Sequence, residues 1–331
     1  MKPIIAVTMG DPAGIGPEIA VKALSGPELY ELCRPLVVGD KKALTRAAAQ
    51  VGSVARIRGV AAVGQAGFAS GTIDVLDLAN VPEDLAMGRL DARAGQAAYD
   101  YVKTAVELAM AGSVAAIATA PINKEALKLA GCAHPGHTEI LGELSGAKQF
   151  AMMLSTKTLK VIHVTTHVAL RRACDLISKE RVLTTIGLAR DALVQMGITR
   201  PRIAVAGLNP HAGEAGMFGD EEINHIAPAV EAARALGIDA TGPVPPDTVF
   251  YRTIRGGEFD MVVVMYHDQG HIPIKVLGFE SGVNVTVGLP FVRTSVDHGT
   301  AFDKAGKGTA DSVSLVEAVR LAARMAGRPA A

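Results

Sequence analysis

Three histidines carry the strongest chemical signal in this chain. His167 closes Thr165-Thr166-His167, His211 sits in Asn209-Pro210-His211-Ala212-Gly213-Glu214, and His267 sits in Tyr266-His267-Asp268-Gln269-Gly270. Each comes shortly after an apolar run that reads as a strand. Imidazoles delivered by separate loops can hold a divalent cation and leave coordination positions open for a substrate. The same residues also suit solvated loop histidines, and residue type alone leaves both alternatives open. His163 alternates within an apolar strand and reads as a core histidine, and His225 lies inside a helical stretch with no functional signal.

A second constellation suits an anion. Gly131-Cys132-Ala133-His134-Pro135-Gly136-His137-Thr138-Glu139 precedes a helix expected from Glu139 or Ile140, with Thr138 as its cap. Free N–H groups at a helix start, flanked by His137 and a threonine hydroxyl, can hold an anion; a plain capping turn explains the segment equally well. Lys275 and Arg293 interrupt the apolar stretches Ile272 to Leu277 and Leu289 to Val292. Either side chain can snorkel to the surface, and a phosphate would be a reason to tolerate both. The glycine segment Gly10-Asp11-Pro12-Ala13-Gly14-Ile15-Gly16-Pro17-Glu18 is not a dinucleotide fingerprint, because Ile19 stands where its third glycine belongs, and no Gly-Lys-Ser/Thr follows to make a P-loop.

These segments need a scaffold. Short β-branched runs recur at Ile4 to Met9, Leu36 to Val38, Ile73 to Leu76, Val114 to Ala118, Val161 to Val164, Ile203 to Ala206, Met261 to Met265 and Val283 to Val287. Between them lie helical stretches, clearest at Ala92 to Ala111, Lys179 to Met196, Asp220 to Leu236 and Ser312 to Met325, with Gly112, Gly197 and Gly237 just past three of their ends. Runs this apolar predict strands buried on both faces, hence a largely parallel α/β sheet covered by helices. Phe150 to Thr156 followed by Leu159 to Thr165 predicts an antiparallel hairpin, which makes the sheet mixed. Ligands of such sheets bind outside the carboxyl ends of the strands, where the histidine loops fall.

Composition narrows the function classes. The 331 residues amount to about two domains. With 33 Lys+Arg against 33 Asp+Glu there is no bulk pull toward nucleic acid or an anionic membrane, so anion binding must come from a few placed residues. Three scattered cysteines, Cys33, Cys132 and Cys174, indicate neither a disulfide framework nor a zinc ribbon. No signal peptide or run of about 18 apolar residues is present, so a cytoplasmic protein is expected.

Taken together, the quoted segments, with Thr119-Ala120-Pro121-Ile122-Asn123-Lys124 and Gly288-Leu289-Pro290-Phe291-Val292-Arg293-Thr294-Ser295-Val296-Asp297-His298-Gly299-Thr300-Ala301, resemble the signature set of the 4-hydroxythreonine-4-phosphate dehydrogenase family across essentially the whole chain. The resemblance implies a two-domain α/β/α architecture similar to isocitrate and isopropylmalate dehydrogenases, with a cleft between domains and a homodimer that completes each site. It suggests a discontinuous domain over 1–130 plus 285–331 carrying the cofactor loop, and a middle domain over 131–284 carrying the metal ligands and dimer interface. It implies zinc, or magnesium, manganese or cobalt, on His167 and His211 of one subunit and on the histidine of its partner equivalent to His267. Substrate contacts carry over to His137, Thr138, Lys275, Asn284 and Arg293. The segment from His298 to Lys307 is similar to the adenosine loop of isopropylmalate dehydrogenases, which implies NAD at His298, Gly299, Thr300, Ala301 and Asp303, with the Asp303 carboxylate on the ribose disfavouring a 2'-phosphate.

The implied reaction is oxidation of a secondary alcohol by NAD followed by loss of carbon dioxide. Asp247, Asp268 and Lys275 are candidates for the base. The continuation Gly270-His271-Ile272-Pro273-Ile274-Lys275 looks more like the branch acting on 4-phospho-D-threonate and 4-phospho-D-erythronate than the vitamin B6 (pyridoxal phosphate) branch. Terephthalate dihydrodiol dehydrogenases also resemble the family. From other classes, a metal-dependent hydrolase would use the same histidines without NAD, and a phosphometabolite-binding protein would use the anion site alone.

Overall fold

The computed structural model describes residues 1–134, 136–278 and 281–327. Pro135 of the expected capping turn, and 328–331 of the expected C-terminal segment, lie outside the described residues. The chain divides into two compact units, Met1–Lys148 with Leu289–Gly327, and Gln149–Gly288.

In the first unit, β1 (Ile4–Thr8), β2 (Arg34–Gly39), β3 (Arg56–Val60), β4 (Thr72–Asp77), β5 (Ala116–Thr119) and β12 (Val292–Val296) lie in the order β3-β4-β2-β1-β5-β12, all parallel. The central strands are buried along nearly their whole length, as parallel strands covered on both faces must be. Helices Gly16–Ser25, Ala92–Met110 and Val313–Ala326 cover them, burying Ile19, Leu24, Tyr101 and Leu315. The Tyr101 hydroxyl donates to Asn80 Oδ1 at 2.8 Å, so the ring enters the core without an orphaned polar group.

The N-terminal glycines serve close chain packing. A Cβ on Gly16 would lie 2.2 Å from the Met9 carbonyl oxygen, and one on Gly10, at φ +74°, 2.4 Å from that of Pro121. Between them Asp11 is buried; its Oδ1 accepts the Ala13 N–H at 2.8 Å and its Oδ2 has no partner. Burial pushes its pKa up to about 6, against the hydrogen bond from Ala13, with Asp91 adding repulsion. The native state therefore holds this proton more tightly than an unfolded aspartate near 3.9. The resulting stability is present below about pH 4 and is lost as pH rises through about 6, on the order of 3 kcal/mol. Asp11→Asn should flatten that segment of the stability profile, measured as urea midpoints against pH. A slope between pH 4 and 6 equal to the parent's would refute the assignment.

In the second unit, β6 (Ala151–Ser155), β7 (Lys160–His163), β8 (Ile203–Ala206), β9 (Ala240–Val244), β10 (Met261–Val264) and β11 (Val283–Val287) run in the order β11-β6-β7-β10-β8-β9. The expected β6/β7 hairpin is antiparallel, with Met153 opposite Ile162, and β11 joins β6 antiparallel. Strands β7, β10, β8 and β9 are parallel.

Strands β3, β9 and β12 were not expected from the sequence. The first two lie at the ends of the strand order and carry arginines or Gly-Pro, which weaken the apolar signal. β12 contains Arg293, Thr294 and Ser295. The expected helix from Asp220 is also modified: a wide turn over Glu222–Ile226 precedes Ala227–Ala235, just before Pro228, which cannot donate to the helical ladder. Among the described residues, no helix is long and apolar enough to cross a membrane.

Candidate active site

Neighbouring parallel strands release their loops at the same end, so the order β7, β10, β8 sets the three histidine loops side by side. Side chains tie those loops together. The Thr165 hydroxyl donates to the Met265 carbonyl at 2.7 Å, Gln269 Oε1 accepts the Met265 N–H at 2.6 Å, and Gln269 Nε2 donates to the Gly207 carbonyl at 2.8 Å. Buried Glu222 accepts the N–H groups of Leu208 and Asn209 at 2.7 and 2.8 Å. It thereby holds the start of a turn in which His211, Ala212, Glu214 and Ala215 adopt φ of 52°, 56°, 44° and 55°. Left-handed backbone costs non-glycine residues about 1–2 kcal/mol each, so this loop keeps its shape only because its surroundings impose it.

The rings of His167 and His267 have centroids 5.5 Å apart and line one cavity of about 410 Å³ with Thr166, Tyr266 and Asp268. His211 is exposed, with its ring 6.3 Å from Phe218. His267 Nδ1 bonds Asp268 Oδ1 at 2.7 Å, and its ring stacks on His271 at 3.6 Å with 9° between planes. His163 is buried as expected, but only Nδ1 is bonded, to the Met152 carbonyl at 3.1 Å, while Nε2 has no hydrogen-bond partner. Burial, reinforced by His271, pushes its pKa down to about 3, so the ring is neutral.

The donor chemistry suits a divalent cation. A carboxylate on Nδ1 orients an imidazole so that Nε2 faces a ligand, the usual outer-shell pattern of metal-binding histidine. Among the described residues, no group of three or more His, Cys, Asp or Glu is gathered to hold a metal. The close His167 and His267 pair would need a further ligand to complete a catalytic site.

The anion constellation forms in the first unit. Arg293 is 2 % exposed on β12, and its Nη2 donates to Thr119 Oγ1 on β5 at 2.6 Å. Burial pushes its pKa down to about 9, with Glu139 pulling the other way. The adjacent helix is His137–Ser145, with Gly136 as an extended N-cap, so the sequence expectation of Thr138 as cap is corrected: Thr138 is the second helical residue. Gly136 is extended at φ −176°, and the helix begins at His137, before the expected start at Glu139 or Ile140. His137 is held well below its usual pKa by burial and then by Arg293, and its Nε2 is buried without a hydrogen-bond partner. A buried guanidinium, a neutral imidazole and a helix start are the donor set that suits an anion. Thr119 was not singled out from the sequence; a threonine ending an apolar strand beside one that carries a buried arginine is the signal for it.

The chain matches the family described as "Pyridoxal phosphate biosynthetic protein PdxA" over residues 31–322. It belongs to the PdxA family. It is 54% identical over 329 residues to the D-threonate 4-phosphate dehydrogenase of Cupriavidus necator, covering 99% of this chain and 98% of that protein. It is 55% identical over 326 residues to the enzyme of the same name from Salmonella typhimurium, covering 97% and 98%. The crystal structure of 4-hydroxythreonine-4-phosphate dehydrogenase from Klebsiella pneumoniae superposes with a TM-score of 0.92 at 52% identity, covering 99% of each chain. At this likeness the chain is a dehydrogenase.

The other expected positions of this PdxA-family chain are distributed as follows. Lys275 is half-buried on helix His267–Gly278, and Asn284 on β11 has a buried Oδ1 without a hydrogen-bond partner. Asp247, in the first turn of helix Pro246–Ile254, and Asp268 are exposed. In the loop after β12, His298 and Asp303 are exposed and Thr300 is buried. A Cβ on Gly299 would meet nothing within 4 Å, and Ala301 is left-handed at φ 40°. Open space over Gly299 and an exposed Asp303 carboxylate able to accept hydrogen bonds from a ribose are compatible with NAD at this loop.

Proposed function

We propose that this dehydrogenase oxidises the C3 hydroxyl of a 4-phosphorylated four-carbon hydroxy acid with NAD and releases carbon dioxide and a phosphorylated ketone. The observation that carries this reading is the buried Arg293 guanidinium, close enough for its charge to act on His137, whose buried Nε2 has no hydrogen-bond partner; the pair suits a phosphate or carboxylate. Arg293, His137 and Thr138, with Lys275 and Asn284, bind and orient the two anionic ends of the substrate.

NAD, held by His298, Gly299, Thr300, Ala301 and Asp303, would supply the hydride acceptor for the C3 hydrogen, and Lys275, Asp247 or Asp268 takes the hydroxyl proton as base. The carboxylate is then β to a ketone, so its C–C bond breaks to carbon dioxide, and a proton adds at C2. A divalent cation, zinc above all, held by His167, His211 and a second subunit's counterpart of His267, would supply electrostatic stabilisation of negative charge on the C3 oxygen.

The relatives named for D-threonate 4-phosphate favour 4-phospho-D-threonate or 4-phospho-D-erythronate as substrate. The crystal structure named for 4-hydroxythreonine-4-phosphate supports the amine-bearing substrate as a second reading. NADH formation with all three compounds, with and without a chelator, tests both. The expected result is highest kcat/KM on the threonate or erythronate and loss of rate on metal removal. No NADH from any compound sinks the substrate class; undiminished rate after verified metal removal sinks the metal role.

A further inference from the structure

The glycine segment before Glu18 fits no nucleotide fingerprint, and the helix it opens grips another part of the chain. Between β12 and helix Val313–Ala326 the backbone runs through 297–312 as turns, without strand or helix of its own. Three contacts fix that stretch to the segment and to helix Gly16–Ser25. The Ile15 N–H donates to the Thr300 carbonyl at 3.1 Å. Glu18 Oε1 accepts the Gly306 N–H at 2.5 Å. Lys22 Nζ donates to the carbonyls of Gly308 and Ala310, both at 2.7 Å. Glu18 and Lys22 are four residues apart, so both point from one face of the helix.

Steric fit reinforces the bonds. A Cβ on Gly14 would lie 2.9 Å from Thr300 Cβ, and one on Gly88 would lie 2.6 Å from the Phe302 carbonyl oxygen. Glu18 is fully buried, its Oε2 has no hydrogen-bond partner, and its Oε1 bonds this loop. A carboxylate kept in the core for one backbone N–H is costly unless the geometry it imposes matters.

We propose that Glu18 and Lys22 are positioning residues that clamp 300–310 in the conformation that receives the cofactor. The inference rests on the reading of this loop as the NAD site. The clamp bonds only the loop's backbone, leaving the side chains of His298 and Asp303 outward. It acts before the cofactor arrives, by removing the cost of ordering the loop at binding.

Lys22→Met keeps the half-buried stem and removes both donors. In the apo protein, amide hydrogen exchange over 304–310 should quicken about tenfold, and the NAD dissociation constant, read by direct titration, should rise about tenfold, as expected for losing charge-assisted hydrogen bonds. Glu18→Gln, which retains an acceptor for Gly306, should perturb both less than Glu18→Ala. Unchanged exchange in Lys22→Met overturns the clamp, whatever happens to NAD. Asp303→Ala separates the two ideas: it should weaken NAD without altering exchange at 306–310. If it leaves NAD affinity intact, the loop is not the cofactor site and the proposal falls with that reading, even with exchange quickened in Lys22→Met.

Discussion

Arg293→Met should lower kcat/KM by about 10²- to 10³-fold, the loss expected when one member of a buried charge-to-charge contact is truncated. Most of it should appear in KM, because a phosphate whose charge does not change during the oxidation is bound alike in ground and transition states. The same substitution should leave the fold at least as stable. Arg293 is 2 % exposed and its guanidinium is destabilised by burial, and an apolar side chain of similar length on β12 removes that desolvation cost. Activity lost while the melting temperature holds or rises is the signature of a residue kept for its ligand. Arg293→Lys should rescue little, because an ammonium cannot both donate to Thr119 and present a planar fork to an anion. A variant that loses stability in proportion to activity, or keeps more than half of kcat/KM, would assign Arg293 to structure alone.

His267→Ala should reduce turnover about 10³-fold or more, with loss of bound metal measured by elemental analysis of the dialysed protein. Asp268→Asn should cost about 10- to 100-fold, through weaker metal affinity, since its carboxylate is 2.7 Å from the Nδ1 of His267. The order of the two effects matters. If Asp268→Asn were as damaging as His267→Ala while metal content stayed full, Asp268 would be the base that receives the substrate proton. If His267→Ala kept both its metal and its rate, the histidine loops would be solvated loops and nothing more.

The sequence was most informative where burial and chemistry both leave local marks. Strand Ile203–Ala206 and the hairpin of β6 and β7 are visible because their cores are continuous apolar runs with turn residues between. His167 and His267 were legible as a pair because each follows such a run, and adjacency of β7 and β10 then brings them together. The partner of Arg293 was not legible, because Thr119 lies 174 residues away in sequence and only the pairing of β5 with β12 brings it near. The left-handed turn at His211 was equally hidden: Ala212, Glu214 and Ala215 prefer other backbone, and it is the buried Glu222, further along the chain, that holds the start of the turn. The stack of His267 on His271 follows from helical spacing once His267 is known to begin a helix, a boundary the sequence did not mark.

The hydrogen bonds of Thr165, Met265 and Gln269 have a mechanical consequence. His167 and His211 are exposed and His267 is half-buried, and surface segments ordinarily fluctuate independently. Here a single buried glutamine side chain joins the end of β10 to the end of β8, and a threonine hydroxyl joins β7 to the same carbonyl-bearing turn. The loops should consequently share their displacements, moving as one body on the sheet's carboxyl edge, with the distances between imidazoles varying less than the position of any one of them.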